Sequence, residues 1–334
     1  MIGRLGAVAI GRNEGERLRR CLASLVGQVG VVVYVDSGST DGSVELARAV
    51  GVLVTELDRA QPFTAARARN AGLARLHEAA PDLELVQFVD GDCEVAAGWF
   101  ERADQELVAD PRLAVVCGRR RERYPDRSIY NRLCDLEWNT PIGPADACGG
   151  DAVMRVEAVR AVNGYDPSLI AGEEPDLCLR LRRLGWKVLR VDAEMTLHDA
   201  AMTRFAQWWK RSLRAGHAYA EGAARQAGGA ERHWAKEVRS NWAWGLFLPT
   251  LALVVAVPTG GLGLALLAAY GVLGLRVYRG MRGRGISARD ARLGAVFCVM
   301  GKVPQALGQA LYRVRRMAGR QGGLIEYKGP DRAV

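Results

Sequence analysis

The apolar run Leu85-Val86-Gln87-Phe88-Val89 ends directly on Asp90-Gly91-Asp92, and no other feature constrains the fold of this chain as strongly. A short apolar run of this kind reads as a strand buried in a sheet, and in open α/β sheets the ligand crevice lies at the carboxyl ends of the strands. Two carboxylates one residue apart at that end can both face a divalent cation. Hard oxygen ligands suit Mg²⁺ or Mn²⁺ and leave coordination positions for the oxygens of a diphosphate. An acidic pair after a strand also serves as a helix cap or a solvated turn. The cation reading gains from its company, an upstream turn Asp36-Ser37-Gly38-Ser39-Thr40-Asp41-Gly42 and a downstream cluster Glu173-Glu174-Pro175-Asp176.

The first half of the chain alternates strand and helix patterns, as a parallel α/β sheet requires. Strands are expected at Leu5–Ile10, Val31–Val35, Val52–Val54, Leu85–Val89 and Ala114–Cys117. Helices are expected after Asn13, from about Ser43, over Thr64–Ala79 and near Ala97–Ala109. The charge run Arg119–Arg127 is expected to form an exposed loop, with contact to an anionic substrate or headgroup left open. From Gly149 a second set begins, with a helix at Met154–Asn163, a turn at Gly164-Tyr165-Asp166, a helix over Glu173–Leu184 closed by Gly185, and a strand at Trp186–Val191.

Charge divides the chain. Residues 1–200 hold 25 Lys and Arg against 31 Asp and Glu, and residues 201–334 hold 21 against 6, so the net charge of +9 comes from the last third. That third also holds Ala243–Leu275, which has no charged residue and carries Pro258-Thr259-Gly260-Gly261 at its middle. Basic residues flank it on both sides, Lys236 and Arg239 before, Arg276, Arg279, Arg282 and Arg284 after. Under the positive-inside rule both ends face the cytoplasm, which favours a helical hairpin over one crossing. A buried hairpin of a soluble domain is the competing expectation. Met202–Arg225 mixes Phe205, Trp208, Trp209, Leu213 and Tyr219 with Arg204, Lys210, Arg211 and Arg214, as suits either a helix in the headgroup layer or one packed on a domain. Leu293–Leu311 is a third apolar segment, interrupted by Lys302 and Pro304 and expected to be interfacial or re-entrant. Four regions follow: 1–200 catalytic, 201–240 amphipathic, 241–278 a transmembrane or re-entrant hairpin, and 279–334 a basic loop, interfacial helix and tail. These arginines flank apolar spans and form no polar stripe, so a nucleic-acid partner is not expected. Seven cysteines without a C-x-x-C pair read as buried apolar residues in a reducing compartment, and with no signal-like start the acidic part is expected to stay in the cytoplasm.

Several motifs stand in a fixed order: Arg12-Asn13-Glu14 after the first strand, Val35-Asp36-Ser37-Gly38-Ser39-Thr40-Asp41-Gly42, Ala68-Arg69-Asn70-Ala71-Gly72, Asp90-Gly91-Asp92, Gly149-Gly150-Asp151, Asn163-Gly164-Tyr165-Asp166, Glu173-Glu174-Pro175-Asp176-Leu177 with Gly185-Trp186, and His198. In this order, over Gly6 to His217, the chain resembles the family 2 glycosyltransferases, which are inverting enzymes of the GT-A fold. The resemblance implies an α/β fold, a Rossmann-like, mostly parallel sheet with flanking helices, followed here by the C-terminal amphipathic and membrane helices. It implies a sugar nucleotide as donor and a divalent cation, Mn²⁺ or Mg²⁺, as cofactor. Asp90, Asp92 and His198 would serve the metal, and Asn13, Glu14, Asp36, Ser37, Arg67, Asn70 and Asp90 the nucleotide, with Arg69 an alternative to Arg67 for phosphate.

An inverting transfer needs a base for the acceptor hydroxyl, and a carboxylate within hydrogen-bond reach suits the task. Glu174 is the first choice and Asp176 the second, although the same acids would also sit well at a positive helix N-terminus. The chain departs from the family pattern in three places. Ser37 stands where a second Asp is common, which weakens any inference that the base is uracil. Glu174 stands where the family base is Asp. Gln207-Trp208-Trp209-Lys210-Arg211 only echoes the Gln-x-x-Arg-Trp motif of processive members, so transfer of a single sugar is expected. The acceptor is expected to be lipid-linked or membrane-proximal, in cell-envelope glycan or glycolipid synthesis at the cytoplasmic membrane with the catalytic part on the cytoplasmic face. Two alternatives remain: a sugar nucleotidyltransferase, for which Gly11-Arg12-Asn13-Glu14-Gly15 is a poor phosphate loop, and a silent membrane scaffold, which has no use for mutually repelling acids.

Overall fold

A computed structural model describes residues 2–226 and 233–319. The chain forms two compact units, one of Met1–Pro125 with Glu137–Ala201, the other of Asp126–Leu136 with the chain from Met202 onward.

In the first unit the order is β1 (Leu5–Gly11), α1 (Glu16–Ala23), β2 (Val31–Asp36), α2 (Ser43–Ala49), β3 (Leu53–Glu56), α3 (Ala65–Ala79), β4 (Leu85–Asp90), β5 (Cys93–Val95), α4 (Trp99–Ala109) and β6 (Leu113–Glu122). After α5 (Ile129–Glu137) come β7 (Gly143–Pro144), β8 (Ala152–Arg155), α6 (Val156–Ala161), α7 (Glu173–Arg183) and β9 (Lys187–His198). The strands make one nine-stranded sheet in the order β3-β2-β1-β4-β8-β6-β9-β5, with β7 on β9. β1 to β4 pair in parallel, while β8 runs antiparallel between β4 and β6. The residues of β1, β2 and β4 are almost wholly buried, as strands covered by helices on both faces must be. Gly72 lets α3 lie flush on β1, since a Cβ there would stand 2.2 Å from Val8 Cγ1. Register then does the positioning. Gly11 pairs with Asp36 and Ile10 with Asp90, which brings the ends of three strands to one edge.

β6 and β9 are parallel but not in simple step, with register shifts between Cys117 and Arg119 and between Arg119 and Arg120. The segment expected to be a loop from Arg119 is still strand as far as Glu122, because pairing with β9 continues through Glu194, Thr196, Leu197 and His198. The helix expected at Met154–Asn163 is shorter. Its first residues belong to β8, whose buried Ala152, Val153 and Met154 fill the slot between β4 and β6, and the helix proper is Val156–Ala161.

The second unit is helical: α8 (Phe205–Arg225), α9 (Ala235–Trp242) passing through a π-helical turn at Ala243–Phe247 into α10 (Leu248–Ala256), then a 3-10 run at Leu262–Ala268 leading into α11 (Ala269–Gly283), and α12 (Ala288–Met317). α5 belongs to this unit except for its last residue. Tyr130 packs edge-on against Phe297, and Arg132 forks onto Asp290 at 2.9 and 2.8 Å. α8 and α12 meet backbone to backbone, since a Cβ on Gly216 or Gly308 would lie 2.0 Å from the carbonyl of Gln305 or Leu213. The interruption expected within Leu293–Leu311 is absent. α12 is one helix of 30 residues through Lys302 and Pro304, and Lys302 Nζ donates to Asn241 Oδ1 at 3.0 Å. Among the described residues, Leu262–Gly283 is a helical stretch long and apolar enough to cross a membrane. The tail beyond residue 319 lies outside the described residues.

Candidate active site

The carboxyl edge of the sheet gathers three groups of polar residues in the first unit. At one end Asp36, buried at the end of β2, orders the turn that follows. Its Oδ2 accepts from Gly38 N and Ser39 N at 2.8 Å each, and its Oδ1 from Tyr34 Oη at 3.0 Å and from the Ser39 hydroxyl. Asn13 closes the turn from β1, with its N donating to Ser39 Oγ at 2.9 Å and its Oδ1 accepting from Thr40 N at 2.7 Å. Ser37 N donates to Gly11 O at 3.0 Å. Glu14 pairs with Arg17 at 2.8 Å.

In the middle, Asp90 ends β4 with its side chain partly open to solvent. Arg69 Nη2 reaches its Oδ1 at 3.0 Å, and Arg120 Nη2 its Oδ2 at 3.1 Å. Arg120 also donates from Nε to Asp151 Oδ2 at 2.8 Å. Asp151 is fully buried, bonded by Thr196 Oγ1 at 2.6 Å and by Asp90 N at 3.1 Å. Below lie Asp92 and His198, both nearly inaccessible, with Asp92 Oδ2 3.2 Å from His198 Nε2. On its other side His198 Nδ1 stands 3.4 Å from Glu122 Oε2, and the Trp138 ring packs edge-on against the imidazole, 4.6 Å between centroids. The Arg120 guanidinium lies 5.5 Å from the Trp138 ring centre.

At the third point α7 begins. Glu173, Glu174 and Asp176 occupy its first turn, where the helix N-terminus favours negative charge. Arg69 Nη1 contacts Glu173 Oε1 at 2.9 Å and Glu174 Oε1 at 3.0 Å. Burial pushes the Glu174 carboxyl up to about 7, with Glu173 adding to the rise and Arg69 opposing it. A carboxylic acid that titrates near neutrality is suited to taking a proton at physiological pH. Asp176 is tied to Arg180 Nε at 2.8 Å on its own helix.

A divalent cation fits this donor set. Neutral imidazole has one N–H, and His198 stands between two carboxylates, Asp92 and Glu122. Burial lowers its pKa, with Glu122 pulling the other way, so the neutral form leaves lone pairs facing each other on one side. A cation on the Asp92 side resolves the clash, with Glu122 fixing the tautomer from behind. The Oδ2 to Nε2 spacing of 3.2 Å is close to the ~3 Å between adjacent ligands of an octahedral ion bound at about 2.1 Å. Charge agrees: Asp90, Asp92, Glu122, Asp151, Glu173 and Glu174 are opposed by Arg69 and Arg120. Cys93 lies within reach of either side of the cluster, but its soft sulfur is a poor match to Mg²⁺ or Mn²⁺, and burial keeps the thiol protonated.

The structure thus brings together Asp90, Asp92, His198 and Glu174, and gathers Asn13, Asp36 and Ser37 into one turn system. It does not bring Arg67 or Asn70 into the cluster. Arg67 donates to the carbonyls of Asp58, Gln61 and Pro62, and Asn70 clamps Tyr165, accepting from its N at 2.9 Å and donating to its O at 2.7 Å. Successive helix residues are ~100° apart, so Arg67 points away from the side where Arg69 enters the site. Sequence reasoning placed Arg120 and Glu122 only within the charge run expected to be a loop, and passed over Trp138 and Thr196. The signal for the first two was the continuation of β6: with its partner strand recognised, the charge run becomes a row of residues that can point inward.

Residues 9–160 match the model of glycosyl transferase family 2. A pre-mycofactocin glycosyltransferase of Mycobacterium tuberculosis is 29% identical over 213 residues, covering 60% of this chain and 43% of its own length. The succinoglycan biosynthesis protein ExoA of Rhizobium meliloti is 28% identical over 186 residues, covering 53% of this chain and 55% of its own. The chain therefore spans about half the length of these relatives. Among solved structures, the mannosyltransferase PcManGT from Pyrobaculum calidifontis, in complex with GDP-Man and Mn²⁺, superposes with a TM-score of 0.60 at 21% identity, covering 91% of this chain and 87% of its own. The shared architecture is the GT-A fold.

Proposed function

We propose that the chain is an inverting glycosyltransferase that moves one sugar from a nucleotide-diphosphate sugar to a lipid-linked or membrane-proximal acceptor, in the synthesis of a cell-envelope glycan or glycolipid. The observation that carries this reading is the presence, at the carboxyl edge of one sheet, of a near-neutral carboxyl (Glu174) bound through Arg69 to Asp90, and of a hard-ligand pair (Asp92 and His198). The turn from Asp36 to Thr40, closed by Asn13, forms the nucleoside end of the cradle. Asp92 and His198, with Asp90 above them, would hold a Mn²⁺ or Mg²⁺ ion, which when bound supplies Lewis-acid stabilisation of charge on the departing diphosphate. Glu174 takes the proton of the acceptor hydroxyl as its oxygen attacks the anomeric carbon from the face opposite the diphosphate, and configuration inverts. Thr196 holds Asp151, Asp151 holds Arg120, and Arg120 holds Asp90, so that carboxylate is fixed before substrate arrives.

The membrane part of the reading rests on the helical unit. Phe247, Leu253, Val254, Val257, Leu262 and Val272 are all exposed on or beside α10 and α11, a larger apolar surface than a protein in water commonly leaves open. With arginines on both flanks, the helices either side of residues 257–261 make a hairpin whose ends stay in the cytoplasm. Relatives named for pre-mycofactocin glycosyl transfer and for succinoglycan biosynthesis lend support to transfer of a sugar in building a larger glycosylated product. The test is release of nucleoside diphosphate from a panel of GDP-mannose, UDP-glucose, UDP-galactose and UDP-N-acetylglucosamine, with and without Mn²⁺, using membranes as the acceptor source. Metal-dependent release that rises with added membranes is expected. Formation of a sugar nucleotide from sugar phosphate and nucleoside triphosphate would replace this reading with a nucleotidyltransferase.

A further inference from the structure

Arg69 has more partners in the site than any other cation, yet it lies outside both the nucleotide turn and the hard-ligand pair. It projects from α3 into the interior, 2% exposed. One terminal nitrogen, Nη1, is shared by Glu173 and Glu174 at 2.9 and 3.0 Å, and the other, Nη2, takes Asp90 at 3.0 Å. The guanidinium is packed as well as bonded. Its Cζ lies 5.4 Å from the Tyr165 ring centre. Over it passes the Gly149-Gly150 turn, where a Cβ on Gly150 would stand 2.7 Å from Nη2 and 2.8 Å from Asp90 Oδ2. The side chain therefore has one conformation, and with it the three carboxylates it binds.

We propose that Arg69 is a positioning residue for the base, a single guanidinium that fixes the Glu174 carboxylate and joins it to Asp90 at the donor end. This rests on Glu174 being the base, and it goes further by saying what sets that base in place and keeps it charged. Three carboxylates drawn around one point, two of them largely withdrawn from water, repel one another and would neutralise by taking up protons. A planar fork with two separated nitrogens can serve α7 and β4 at once, whereas an ammonium is a point donor that cannot span both. The charged and titratable groups facing Glu174 are Glu173 on its own helix, Arg69 from α3, Asp90 from β4, Tyr165, and the thiols of Cys148 and Cys178. Of these, Arg69 is the cation in contact with the Glu174 carboxylate, so removing it must raise the Glu174 pKa and free its side chain.

The test reads the carboxyl directly and needs no substrate. The intact chain is labelled with ¹³C-carboxyl glutamate, and the Glu174 signal is assigned by its disappearance in Glu174→Gln. It is then titrated in the parent protein, in Arg69→Met and in Arg69→Lys. The midpoint is expected near neutrality in the parent, at least one pH unit higher in Arg69→Met, and between the two in Arg69→Lys. If Arg69→Met does not fold, Arg69→Lys alone decides. A midpoint unchanged in whichever variant folds overturns the proposal. Turnover then separates the two layers. With the panel sugar nucleotide that the parent uses, Arg69→Lys should lower kcat more than it raises KM for the donor and move the acid limb of the pH profile upward. If Glu174→Gln turns over normally, the choice of base is wrong. If Glu174→Gln is inactive while Arg69→Lys keeps the parent kcat and pH profile, only the role given to Arg69 falls.

Discussion

At the scale of single residues, the site is a small number of charges held at fixed separations, and its behaviour with pH follows from Glu174. Burial raises this carboxyl to about 7, and as the proposed base it must be ionised to act, so kcat/KM should rise as pH passes upward through about 7. Stability runs the opposite way. A carboxyl whose folded pKa exceeds its unfolded value stabilises fully below the unfolded pKa and loses that contribution as pH climbs through the folded one. The Tm of Glu174→Gln relative to the parent should therefore be more favourable at pH 8 than at pH 4, which thermal melts at the two values would show. The same variant should keep donor binding and lose ~10²–10⁴ in kcat, the usual loss when general-base help is removed. Equal loss from Asp176→Asn with a mild effect of Glu174→Gln would transfer the role, although the bond of Asp176 to Arg180 argues for a structural part. Asp92→Asn should abolish the gain in nucleotide affinity that Mn²⁺ brings in calorimetry, and equal affinity with and without Mn²⁺ in the parent would refute the metal pair. These acids were legible because carboxylates after a strand and at a helix start keep their local meaning wherever the chain folds. Arg120 and Trp138 were not, because their role depends on which distant strand lies beside them.

At the scale of elements, the helices and parallel strands of the first half follow from period and turn chemistry, and the errors lie where tertiary pairing overrides local pattern. Arg119 to Glu122 is polar enough for a loop, yet β9 supplies a partner and the strand continues. Met154 and Arg155 read equally well as helix, but an open slot between β4 and β6 made them the end of a strand. The register shifts matter for chemistry. From the Cys117–Arg190 pair to the Glu122–His198 pair, β6 advances five residues and β9 eight. Three extra residues on one strand is an odd number, so in regular pairing Glu122 would face Met195 and His198 would fall elsewhere. Deleting Ala193 should therefore disrupt Mn²⁺-dependent nucleotide binding more severely than His198→Ala, since every later residue of β9 changes face. Gly150→Ala is the complementary probe. Its methyl would press on Arg69 and Asp90, and a displacement of that size should cost ~10–100-fold in kcat/KM while the Tm moves little.

At the scale of the whole molecule, the division between an acidic α/β unit and a basic helical one was visible in charge alone, while the boundary was not. The hairpin expectation leads to a labelling experiment in a Cys298→Ser background, which removes the exposed native thiol. With both flanks cytoplasmic, a cysteine at Gly260 should react with an impermeant reagent applied to intact cells, and one at Gly283 should not. Labelling at Gly283 would mean a single crossing, and release of the chain by carbonate wash would mean no integration. The boundary expected at residue 200 overlooked Asp126–Leu136, which belongs with the later helices although it precedes Trp138, Asp151, Glu174 and His198 in the chain. The polypeptide is thus stitched from one unit to the other and back before the active site is complete. Cutting after residue 200 would not remove a dispensable anchor. It would strand α5 with Tyr130 and Arg132 stripped of Phe297 and Asp290, on a segment tethered at both ends to the catalytic unit. A soluble enzyme made that way should aggregate or melt early, and a better one would shorten the apolar hairpin and leave α12 in place.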